Sequence, residues 1–119
     1  MPDDKKYGTG DKPEGEKPIR NPKVKVAAPP RKKTDERQRD VSKRVKRGVK
    51  ERVERTLKEN KGGGYKRQLD AAEKAVEDEA TKIPGNVIKK VKVRIEGDVE
   101  GPDGRPRGVE TDIEAEPNG

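Results

Sequence analysis

Apolar residues along this chain follow two different periods, and the switch between them marks out its elements. Val41, Val45, Val49, Val53 and Leu57 recur at every fourth position. That spacing is helical. At about 100° per residue the row winds around the helix, so it suits one oblique crossing better than a long coiled-coil seam. Thr34 offers a hydroxyl N-cap, and Asp35 and Glu36 place acids at the positive end of the dipole, so the helix is expected over residues 34–60. Its four valines and Gly48 lower its intrinsic propensity, which makes it marginal when alone. Lys61-Gly62-Gly63-Gly64 ends it and permits reversal. A second helix follows from about Tyr65 to Lys82. Its apolar positions Leu69, Ala72, Val76, Ala80 and Ile83 make one amphipathic face, and Pro84-Gly85-Asn86 stops it.

Past residue 90 the period falls to two. Val91, Val93, Ile95, Gly97 and Val99 alternate with Lys92, Arg94, Glu96, Asp98 and Glu100, and after Pro102-Asp103-Gly104 the positions Val109, Thr111, Ile113 and Ala115 alternate with acids. Both apolar rows fall on odd numbers. A three-residue loop with Gly104 in the left-handed conformation brings them to one face of an antiparallel hairpin. It sets Ile95 against Thr111, Val93 against Ile113 and Val91 against Ala115. On the other face it sets Arg94 against Asp112, Lys92 against Glu114 and Lys90 against Glu116. A two-residue shift would oppose Glu96 to Asp112 and Asp98 to Glu110, so charge and hydrophobic pattern select the same register. A two-stranded hairpin is rarely stable alone, and the second helix is its natural cover.

Residues 1–33 show no period and are rich in Pro, Gly and Lys; they read as a disordered arm, with Lys23-Val24-Lys25-Val26 as a short edge strand within it. The expected fold is therefore α+β: a disordered N-terminal arm, a two-helix hairpin, and an antiparallel β-hairpin packed on the second helix. The expected units are 1–33, the basic helix 34–60, and a helix-plus-hairpin unit over 65–119. Asn118-Gly119 is itself a hairpin signal with no strand after it. That leaves two readings open, a truncated hairpin unit and a polar, frayed tail.

Composition changes the picture by limiting the core. The large aliphatics are 12 Val, 5 Ile and 2 Leu, with no Phe or Trp. Each contributes roughly 1.5–3 kcal/mol on burial, against about 1.5 kcal/mol to order each residue, so they are too few to order the whole chain. With no Cys and no His, disulfides, thiolate zinc sites, cysteine nucleophiles and serine–histidine dyads are excluded. No apolar run is long enough for a membrane span or a secretory leader, and a cytoplasmic protein without membrane partners is expected.

Charge is the strongest functional signal. Residues 31–61 carry fourteen Lys/Arg against six Asp/Glu, whereas residues 62–119 carry ten against thirteen. A concentrated excess of eight cations is the footprint of a polyanion contact, through phosphate neutralisation and counterion release. The competing reading is a solvated helix face laced with its own pairs, since Asp40–Arg44, Lys50–Glu54, Glu51–Arg55 and Glu54–Lys58 stand at i,i+4. The expected phosphate-contacting residues are Arg37, Arg39, Lys43, Arg44, Lys46, Arg47, Lys50 and Arg52. No aromatic residue interleaves them, so contact with backbone phosphates is favoured over base stacking. The leading expectation is a nucleic-acid-associated protein making sequence-independent contacts. An alternative is a structural or protein-interaction module, and a protein partner that completes the sheet is a further expectation.

The hairpin also clusters carboxylates, and Glu73 and Glu79 flank the apolar stripe of the second helix. The acidic helix from Leu69-Asp70-Ala71-Ala72-Glu73 to Glu79, the strand, and the stretch Gly104-Arg105-Pro106-Arg107-Gly108-Val109-Glu110-Thr111-Asp112-Ile113 together resemble the first half of a PD-(D/E)-x-K nuclease core, as in restriction-endonuclease-like domains and polymorphic toxins. The resemblance covers residues 65–119. It implies Asp112 as a metal ligand, joined by Glu73 or Glu79, with magnesium as the cofactor; apart from it no cofactor is expected. The family's E-x-K strand comes after the next turn, where this chain ends, so the resemblance implies ancestry or incompleteness without activity.

Overall fold

A computed structural model describes residues 17–118. The elements run β1 (Arg20–Ala27), α1 (Glu36–Glu59), α2 (Gly64–Ala80), β2 (Val91–Glu100) and β3 (Pro106–Ala115), with one 3-10 turn at Lys61–Gly63 between the helices. The fold is α+β. Its antiparallel sheet has the order β1-β2-β3, with β2 in the centre. Val91, Val93, Ile95, Val99 and Ile113 are buried and join Val24 of β1 with Val49, Val53 and Leu57 of α1 and Ala72 and Val76 of α2 in a single core. The helices therefore cover one face of the sheet, and the row that carries Lys92, Arg94 and Asp112 faces the other way.

The hairpin has the register its charges and apolar row require: Val91 opposite Ala115, Val93 opposite Ile113, Ile95 opposite Thr111, Arg94 opposite Asp112 and Lys92 opposite Glu114. Gly101 donates to the Arg105 carbonyl at 2.8 Å and Gly104 donates to the Gly101 carbonyl at 2.9 Å. Gly104 has φ +80°, the left-handed conformation that lets a three-residue loop close without splaying the strands. Lys90 pairs with Glu114 at 3.6 Å rather than with Glu116.

The expected arm over 1–33 needs correction where the structure describes it; residues 1–16 lie outside the described residues. Residues 20–27 form β1 and pair along β2, with Val24 opposite Ile95 and Val26 opposite Val93. Proline density argues against a central strand, but β1 lies at an edge, where a missing N–H costs no ladder bond. Pro22 sits in a register shift between Arg20 and Lys23, and Asn21 beside it has φ 51°, a conformation asparagine tolerates. Opposite this bulge, Gly97 has no room for a side chain: a Cβ there would overlap Ile19 and come within 3.1 Å of the Arg20 carbonyl.

Helix boundaries shift by a residue or two. Asp35, not Thr34, is the N-cap of α1, accepting from the Gln38 N–H at 3.2 Å. In α1 the four-residue row is buried at Val49, Val53 and Leu57 and only half-buried at Val41 and Val45, as a winding row should be. Two buried polar groups fasten the layers. Gln68 on α2, 1% exposed, accepts from the Ile19 N–H at 3.0 Å and donates to the Leu57 carbonyl at 2.7 Å, so one side chain ties α2 to the start of β1 and the end of α1. Ser42 donates to the Ala28 carbonyl at 2.6 Å and holds the start of α1 against the end of β1.

Candidate polyanion-binding cleft

Three segments converge beside the N-terminal half of α1. The linker after β1 is stitched to the segment before β2: Arg31 N–H donates to the Val87 carbonyl at 2.8 Å, and Lys89 N–H donates to the Pro29 carbonyl at 2.9 Å. Pro30 faces Ile88 in an isolated antiparallel bridge, and the Arg31 guanidinium donates to the Gly85 carbonyl at 2.5 Å. Prolines suit this linker because they hold it extended while its remaining N–H groups find partners.

The result is an open cleft of about 570 Å³ with an apolar and backbone floor, including Val26, Ala28 and Pro29, under a rim of Arg31, Lys33, Lys46, Lys89, Lys90 and Lys92. A smaller hollow shares Lys33 and Lys46 and adds Arg39 and Lys43. Neither is lined by a carboxylate. Lys90 is engaged by Glu114 and Lys92 stands opposite Glu114 across the hairpin, whereas among the described residues no carboxylate pairs with Lys33, Lys46 or Lys89. Cations so close together with no internal counter-charge repel one another, and an external anion relieves that repulsion.

The structure divides the eight residues expected from sequence. At about 100° per residue, Arg39, Lys43, Lys46, Arg47 and Lys50 occupy one sector of α1 about 100° wide, on the flank that lines the hollows. All five are exposed. Arg37 is exposed on the opposite flank, and Arg44 lines a separate hollow with Glu79 and Lys82 on the side facing α2. Arg52 is engaged: its guanidinium donates to Glu79 at 2.8 Å and to Asp78 at 3.3 Å, which joins α1 to α2. Among the described residues these are the only ion pairs α1 makes, so the i,i+4 pairs suggested by sequence spacing do not close. Sequence reading missed Arg31, Lys33, Lys89, Lys90 and Lys92. The Lys89-Lys90 doublet was the available signal, but its proximity to Lys46 depends on how the two linkers dock.

The carboxylates are arranged differently. Asp112 lies on the sheet face turned away from the helices, where both of its oxygens accept from the Arg94 guanidinium at 3.1 Å. Glu79 lies on α2 with Arg52, and Glu73 is exposed on α2. The structure does not bring Asp112, Glu73 and Glu79 together, and among the described residues no group of three or more acidic side chains could hold a metal ion. This donor set does not fit a magnesium ion. Arg94 is the hub of the outer sheet face. It donates to Glu96 at 2.6 Å and Glu110 at 2.6 Å as well as to Asp112. The Glu96 hydrogen bond is the first cause of a raised Arg94 pKa, and the same bond holds the Glu96 carboxyl below its ordinary range.

No helix among the described residues is long and apolar enough to cross a membrane. Compared with protein-family models, with curated proteins and with solved structures, the chain has no match.

Proposed function

We propose that this protein binds the phosphate backbone of nucleic acid, without reading sequence, through the cationic cleft and the adjoining flank of α1. The observation that carries this reading is the set of three lysines, Lys33, Lys46 and Lys89, drawn from three segments around one cleft that no carboxylate lines, and without ion-pair partners among the described residues. Phosphate contacts need mobile point charges at a surface, and lysine ammonium groups supply them without a fixed geometry. The sequence has no Phe or Trp, and among the described residues no aromatic side chain lines the cleft or the hollow beside it, so neither offers a stacking platform for bases.

The test is fluorescence anisotropy of labelled 20-base-pair duplexes of two unrelated sequences across a salt series. Equal affinities are expected for both, with log K falling linearly against log salt at a slope of about −0.9 per phosphate neutralised, and so roughly −3 for three lysines. Absence of binding at low salt, or a slope near zero, rejects the reading.

A further inference from the structure

The two edges of the sheet are unequal, and the difference points to a second binding surface independent of the cleft. At the β1 edge the strand is interrupted by Pro22 and by the bulge at Asn21. These devices discourage another strand from adding there. β3 has neither. It pairs with β2 without interruption from Pro106 to Ala115, its only proline is the first residue, and among the described residues nothing pairs with its outer edge.

The hydrogen-bonding atoms on that edge can be named. Gly101 bonds to Arg105 at the loop, and narrow and wide pairs alternate down an antiparallel ladder. Odd-numbered residues of β3 therefore bond inward to β2, and Gly108, Glu110, Asp112 and Glu114 turn their N–H and C=O groups outward. Their side-chain row is acidic and lies on the open face of the sheet. On the helix side, Val109 and Ala115 are half-buried against the core.

We propose that the outer edge of β3 binds, as a fourth antiparallel strand, an extended segment of a protein partner in which basic residues alternate with small apolar ones. The basic row would oppose Glu110, Asp112 and Glu114, as Arg94 and Lys92 already oppose Asp112 and Glu114 from the other side. The apolar row would extend the core past Val109 and Ala115. A second copy pairing β3 to β3 would set acid against acid, and a nucleic acid would meet the same acidic row, so charge selects a basic peptide over both.

The probe is a ten-residue peptide of alternating lysine and valine, titrated into the ¹⁵N-labelled full chain and followed by amide shifts and hydrogen exchange. Shifts and slowed exchange at Gly108, Glu110, Asp112 and Glu114 are expected, with β1 unmoved. Affinity should fall at least tenfold when the peptide's lysine amides are N-methylated, which blocks edge pairing but keeps the charge, and also when glutamate replaces its lysines. Equal binding of the N-methylated peptide reduces the contact to charge adhesion and overturns the proposal. So does binding centred away from β3, or protection of β3 that grows with protein concentration and needs no peptide.

Discussion

The outer face of the hairpin and the flank of α1 carry similar densities of charge and handle it in opposite ways. On the hairpin, one arginine collects three carboxylates: Arg94 holds Glu96, Glu110 and Asp112 within 3.1 Å. On α1, among the described residues, only Arg52 finds carboxylate partners. The first arrangement gives each of those carboxylates an internal cation, leaves the face net negative because one arginine serves three acids, and contributes to register, because only one alignment puts Arg94 beside Asp112 and Lys92 beside Glu114. The second leaves its exposed cations without ion-pair partners among the described residues. Charge count alone does not separate structural from functional ions; whether the fold supplies a counter-charge does.

The comparison breaks most decisively if the cleft lysines prove structural. Replacing Lys33, Lys46 and Lys89 together by glutamate should lower duplex affinity at low salt at least a thousandfold, about 4 kcal/mol. Fold stability should change little, because exposed cations without partners contribute within about 0.5 kcal/mol each. Anisotropy titration alongside urea denaturation checks both. A large loss of stability with unchanged binding would reverse the assignment.

The scaffold under the cleft should show the reverse behaviour. Gln68→Leu keeps the volume but leaves the Ile19 N–H and the Leu57 carbonyl buried without partners. Two unsatisfied backbone groups cost about 1–3 kcal/mol each, so the urea midpoint should fall by the equivalent of roughly 2–4 kcal/mol. Duplex affinity should hold wherever the variant remains folded, since Gln68 does not line the cleft.

The sequence made the hairpin legible down to its register because pattern, turn glycine and cross-strand charge agree and all are local. The helices were legible for the same reason, with an error of one residue at the α1 cap where Thr34 and Asp35 compete. β1 was hidden. Its edge position makes Pro22 tolerable, and edge status is a property of the assembled sheet, not of a window of residues. The cleft was half legible. Arg39, Lys43 and Lys46 lay in the obvious basic stretch, whereas Lys89 and Lys92 belong to a part of the chain whose net charge is negative, and they reach the cleft only through the Pro29–Lys89 and Arg31–Val87 hydrogen bonds. Arg52 was expected at phosphate, and spacing could not show that α2 presents Asp78 and Glu79 to it.

A smaller effect sharpens the other side of the comparison. Arg94→Met preserves the aliphatic stem but leaves Glu96, Glu110 and Asp112 clustered without their cation. Thermal stability should drop, by less than in Gln68→Leu because these groups are exposed, and added salt should restore most of the loss by screening the repulsion. Duplex affinity should stay level or fall slightly. A drop in stability that salt does not recover would mean that Arg94 acts through packing of its stem.

The smallest effect is a pH dependence, and its sign follows from the same hub. Glu96 is held below its ordinary pKa, first by its hydrogen bond to Arg94. A carboxyl depressed in the folded state contributes stability that is present above its unfolded pKa, about 4.3, and is lost as pH falls through the lower folded value. Arg94, raised in the folded state, contributes below its unfolded pKa and so is constant through this window. Thermal stability should therefore decline on the acid side of the ordinary glutamate range, and Glu96→Gln should flatten part of that decline. Duplex binding should be level between pH 8 and pH 5, since the chain has no histidine, the side chain whose unperturbed pKa lies there. A binding curve that bends in that interval would mean that carboxylates, and not lysines alone, set the affinity, and the contrast between an internally paired hairpin and an unpaired helix flank would fail at the point where it bears on function.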